Sequence, residues 1–98
     1  MFGIMGSRAI AHLRLGEVEQ AADWAIRAAA RPNAHANILG LAALCLSVAG
    51  RAKEGRAFAT AIHASHPGYA INDFLTAFHL PPEKASELRA AAARVSLT

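Results

Sequence analysis

The chain has a single cysteine, Cys45, so no intrachain disulfide can form. It sits in an apolar run, where the expected role of a lone thiol is that of a small buried hydrophobe in a reducing cytoplasm. That run, Ile38 to Ala49, is the longest apolar stretch, and its 12 residues fall short of the ~20 needed to span a bilayer. No membrane partner is therefore expected, and "MFGIMGSRAI" lacks the basic and apolar regions of a secretory leader. Valine, isoleucine and threonine are sparse and aromatics make up 6%, which argues against a strand-based fold. Glycine-rich phosphate loops are absent, and Ser7, Ser47 and Ser65 lie in no nucleophile-elbow context. Charge is also unclustered. The net charge is +3 and the isoelectric point near 9.8, yet the eight arginines are scattered from Arg8 to Arg94. A nucleic-acid interface would more often show a basic stripe, so excess arginine on a solvated surface is the favoured reading.

What the chain does have is alanine, about a quarter of its residues. Alanine loses no side-chain entropy on entering a helix, so composition favours an all-α domain. With 54% hydrophobic and 17% charged residues, a chain of this length is a single small globular unit. Helix breakers fall at Gly16, Pro32-Asn33, Gly50, Pro67-Gly68 and Pro81-Pro82. They predict helices over about 3–15, 18–30, 35–49, 52–65, 69–79 and 82–96. In the fifth, Ile71, Phe74, Leu75 and Phe78 follow amphipathic spacing. The sixth starts at a proline, carries Glu83 in its first turn, and has a narrow face of Ala85, Leu88, Ala92 and Val95, as a capping helix would.

A shift of 34 residues superposes the first part of the chain on the next. Met5 falls on Leu39, Ala9 on Ala43, His12 on Leu46 and Gly16 on Gly50; Ala21 falls on Gly55, Trp24 on Phe58 and Ala28 on Ile62. Each unit reads as a helix, a glycine turn and a second helix ending near proline. Small residues at Ala9, Ala43, Ala21 and Gly55 are placed to let the paired helices cross closely. This pattern resembles the tetratricopeptide repeat, whose unit has the same length and plan. The resemblance covers about residues 3–68, as units 3–34 and 35–68, with 69–96 as a degenerate helix and a terminal cap. It implies a right-handed superhelical stack of two hairpins plus two C-terminal helices.

In that family the first helices line a concave groove that receives peptides or partner helices. Carried onto this chain, the groove positions are Ile10, Leu13 and Arg14 in the first unit. In the second they are Asn37, Leu44, Ser47 and Val48. They suit an apolar helix or extended segment with one polar anchor. A second reading is that Leu13, Leu44 and Val48 pack beneath the fifth and sixth helices. The Lys/Asn clamp with which some family members grip a C-terminal carboxylate is absent. The tail from His66 to Leu97 is also similar to the C-terminal end of helical-repeat regions in bacterial adenylate cyclases and related signalling proteins, which implies a regulatory piece without cyclase chemistry.

Candidates for chemistry are few. His63 and His66 are three apart and could share a metal, but no Cys, Asp or Glu close in sequence completes the set. Glu17, Glu19 and Asp23 suit the positive end of a helix dipole better than acid–base catalysis. No cofactor, metal site or enzymatic activity is expected. Because solenoid units bury their faces against neighbours, Phe2, Ile4 and Met5 on the first helix form an open edge, where self-association or an upstream repeat is expected. A protein or peptide partner is the leading expectation, and a nucleic-acid-binding helical domain the alternative.

Overall fold

The computed structural model describes residues 3–32 and 34–98. Phe2 and Asn33 lie outside the described residues. Among the described residues there are six α-helices and no strand: α1 (Gly3–Arg14), α2 (Val18–Ala29), α3 (Ala36–Val48), α4 (Ala52–Ser65), α5 (Ile71–Ala77) and α6 (Pro82–Arg94).

The two glycine turns have the same construction. Gly16 and Gly50 adopt left-handed φ values of 77° and 82°, which cost glycine no Cβ clash. In the first turn the amide of Gly16 donates to the Leu13 carbonyl (3.1 Å) and that of Glu17 to His12 (2.9 Å). In the second, Gly50 donates to Ser47 (3.1 Å) and Arg51 to Leu46 (2.7 Å), each partner displaced by 34. This Schellman arrangement satisfies the last carbonyls of α1 and α3 and turns each chain into a hairpin with the helix that follows. The two hairpins are α1–α2 and α3–α4. At the second crossing, a Cβ on Gly55 would lie 2.7 Å from the Ala43 carbonyl oxygen, so the small residue is needed for close approach.

The two hairpins meet through α2 and α3, and α5 and α6 fold back onto α3. Ten of the thirteen α3 residues are buried, which explains why it is apolar around its whole circumference. The radius of gyration, 11.5 Å, and extents of 31 × 26 × 24 Å describe a body with no long axis. Leu88, Ala91, Ala92 and Val95 of the last helical stretch are buried, with Ala85 only half-buried.

Two elements differ from the helices read from the sequence. α5 is shorter than 69–79. Tyr69 is held outside the helix because its hydroxyl donates to Asn37 Oδ1 (2.7 Å) and its carbonyl meets His63 Nε2 (3.0 Å). Asp73 then accepts from the Ala70 amide (2.9 Å) and starts the helix. At the other end, the residue before a proline disfavours helical geometry, and the chain is already extended at Phe78 before Leu80-Pro81-Pro82. α6 likewise stops at Arg94. Ser96 turns left-handed (φ 63°), the Leu97 amide bonds back to Ala92 (2.9 Å), and buried Leu97 accepts from the Ile71 amide (2.6 Å). The C-terminal residues thereby clasp the start of α5.

Candidate interaction surface

The expected groove residues divide according to what α5 and α6 cover. Leu13 and Leu44 are wholly buried, so neither can touch a partner in this structure. Ser47 is buried as well: its hydroxyl donates to the Ala91 carbonyl of α6 (2.8 Å) and accepts from Arg94 Nε (3.3 Å). None of the three is open to a groove in this structure. The face of α3 that would line it is filled by the C-terminal helices. Val48 is half-buried against the core. Asn37, also half-buried, spends its carbonyl oxygen on Tyr69, whose ring lies over Gly40 with the oxygen only 2.9 Å from where a Cβ would stand. Burial first, and Asp73 second, push the Tyr69 hydroxyl well above its ordinary pKa, so it is a donor at all physiological pH.

Ile10 and Arg14 behave differently. With Gly6, Ser7, Ala11 and Phe78 they line a cleft of about 300 Å³ between α1 and the residue that closes α5. Helical spacing places Ser7, Ile10, Ala11 and Arg14 on one face, and Phe74 stacks on Phe78 (centroids 4.5 Å apart), fixing the opposite wall. Arg14 Nη2 donates to the His79 carbonyl (3.0 Å), which leaves its other guanidinium donors directed elsewhere. Gly6 matches Gly40 under the 34-residue shift, and both are buried. Over Gly40 the space is taken by Tyr69, whereas Gly6 lines the cleft. The floor is apolar, and one cation stands at the rim.

The other residues considered for chemistry are engaged singly. His63 bonds the Tyr69 carbonyl and His66 Nδ1 the Ser65 hydroxyl (2.9 Å). Among the described residues no three of His, Cys, Asp and Glu come together to hold a metal ion. Cys45 is free and buried, and burial pushes its thiol up to about 12. Glu17 pairs with His12 (2.7 Å), while Arg51 bridges Glu54 (2.9 Å) and Glu19 (3.4 Å). The hydrogen bond from Arg51 lowers the Glu54 carboxyl from its usual range. Trp24, read as a packing residue matched to Phe58, is half-buried against the core and also carries Arg8 and Arg27 at 5.1 and 5.0 Å from its ring centre. Among the described residues no helix is long and apolar enough to cross a membrane.

Sequence reasoning missed Phe78 as a wall of the cleft and Tyr69 as the plug over Gly40. Gly40 was the available clue to the second, since a glycine inside a helix often marks a close approach. No family model, curated protein or solved structure matches the chain.

Proposed function

We propose that the chain is a small tetratricopeptide-like interaction module that receives a peptide or partner helix in the cleft between α1 and α5. The repeat of the glycine turn, bond for bond at a 34-residue interval, supports the arrangement of two repeat hairpins in a right-handed stack, closed by α5 and α6. The cleft supports the binding role. It joins an apolar floor to a charged rim, the combination by which a groove fixes both the affinity and the orientation of a short segment. Of the seven groove positions carried over by resemblance, Ile10 and Arg14 retain that role; Leu13, Asn37, Leu44, Ser47 and Val48 serve the fold.

The nucleic-acid alternative has less support. Arg51 is paired with carboxylates, Arg14 and Arg56 donate to the carbonyls of His79 and Arg94, and Arg94 to Ser47. Arg51 is thereby neutralised within the chain and Arg56 complements the end of α6, so neither adds to a basic stripe. A cytoplasmic place within a bacterial regulatory protein rests on the tail's resemblance to cyclase repeat regions.

A photo-crosslinking residue at Ser7, in the cleft, and a second at Lys53, exposed on α4, test the reading in the host cell. A discrete adduct with one protein from position 7, absent from position 53, is expected. Identical adducts from both positions, or none from position 7, would refute it.

A further inference from the structure

The internal repeat allows the exposed face of α1 to be compared with the covered face of α3. Shifted by 34, the exposed residues Ile4, Ser7, Arg8, Ala11, Arg14 and Leu15 fall on Ile38, Leu41, Ala42, Cys45, Val48 and Ala49. The first four of those are buried and the last two half-buried, in a helix that packs against its preceding neighbour α2 as well as α5 and α6. Ile4 and Leu15, at 74% and 73% exposed, are the large hydrophobic residues left uncovered among the described ones, and both belong to this face. A solenoid end that meets only water carries a polar outer face. Here the apolar members persist, and the substitutions relative to α3 are a serine and two arginines.

Those arginines specify the partner. α1 contains no Asp or Glu, and Glu17, just beyond it, is tied to His12. Arg8 and Arg14 have no carboxylate partner among the described residues, and Arg27 of α2 joins Arg8 at the Trp24 ring. A second copy laid face to face on α1 would bring both pairs of guanidinium groups together with no carboxylate of α1 to offset them. From charge complementarity and the α2–α3 precedent, we infer that the open face of α1 docks an acidic amphipathic helix of another protein. Its apolar stripe covers Ile4 and Ile10 and enters the cleft, and its flanking carboxylates meet Arg8 and Arg14. The inference rests on the cleft being an interaction site and adds the chemistry of what binds there.

The probe is a labelled helical peptide of about 20 residues, with Ala and Leu at i, i+3, i+4 and i+7 and Glu along both flanks, compared with its Lys-for-Glu counterpart. By fluorescence anisotropy at low salt, the Glu peptide should bind at least about tenfold tighter than the Lys peptide, with the difference shrinking as salt rises. Arg14→Glu should invert the preference. So should Ser7→Glu, which places a carboxylate at an exposed position whose side chain makes no hydrogen bond among the described residues, and so guards against loss of the Arg14–His79 contact. Equal binding of the two peptides, abolished by Ile10→Asp, would overturn the acidic-helix inference while leaving the cleft as a site. Binding of neither peptide at millimolar concentration would overturn both. A sedimenting dimer dissolved by Ile4→Glu would identify a second copy as the occupant and overturn the inference.

Discussion

Gly55→Ala separates helix propensity from packing at the α3–α4 crossing. In an exposed helix interior this change stabilises by about 1 kcal/mol, because glycine loses more backbone entropy on folding than alanine does. Here the new methyl would stand 2.7 Å from the Ala43 carbonyl oxygen and 2.9 Å from Val95 Cγ1. Neither neighbour can swing away freely: one is the backbone of the central helix, the other a buried β-branched side chain. α4 must therefore retreat from α3, and a gap of 0.5–1 Å forfeits about a quarter to a half of the dispersion attraction across it. Overpacking of this kind costs about 1–3 kcal/mol, and two simultaneous contacts place it near the upper value. The net expectation is a loss of roughly 2 kcal/mol, which lowers Tm by about 8–16 °C in a domain of this size. Circular-dichroism melts and urea titrations read it directly. Gly68→Ala, with no atom within 4 Å of the added Cβ, is the control and should change stability by less than about 1 kcal/mol. Adding Val95→Ala to Gly55→Ala removes one of the two contacts, so the double variant should be less destabilised than the sum by about 1 kcal/mol. A Tm that rises in Gly55→Ala would refute the close crossing.

Gly16→Ala and Gly50→Ala should each cost about 1–2 kcal/mol by equilibrium unfolding, and by similar amounts, because both positions are left-handed and both are open to an added Cβ. Unequal losses would show that the two turns are not equivalent. Tyr69→Phe, which leaves the Asn37 carbonyl oxygen without its donor, should cost about 0.5–1.5 kcal/mol in urea titrations; no loss would show that water replaces the bond. Cys45 predicts an alkaline limit. Its thiol is raised from 9.0 to about 12 in the fold, so its contribution is complete below pH 9 and is lost as pH climbs towards 12. Wild type should therefore lose stability more steeply than Cys45→Ala over that interval, and parallel slopes would contradict the burial.

The positions that repeat were legible because each serves a local need. Gly16 and Gly50 end helices and Ala43 admits α4 at Gly55, roles all three keep in the structure, while Ala9 is buried. The groove was not legible in the same way. Leu44 and Ser47 occupy the face that the repeat resemblance opens to a partner, but whether that face is covered depends on where α6 lands, more than 40 residues later in the chain. Local periodicity showed that α6 has an apolar face and carried no information about which helix receives it. The Ser47–Ala91 bond and the Tyr69 plug are long-range contacts of this kind. Even so, the uniform apolarity of Ile38 to Ala49 indicated a helix covered on most sides, and it conflicted with an open groove over the same helix. Ile10 and Arg14 line a surface cleft because neither α5 nor α6 covers that face of α1 as they cover α3.

Thiol accessibility tests most directly whether the binding face is α1 and not the groove over α3. In a Cys45→Ala background, single cysteines replace Ser7 or Ser47, and labelling by a maleimide is followed under native conditions. Ser7→Cys should react at the rate of an unstructured peptide thiol. Ser47→Cys, enclosed beneath Ala91 and Arg94, should react only through unfolding, accelerating with denaturant as global stability falls. Rapid native labelling at position 47, or protection at position 7, would contradict the account.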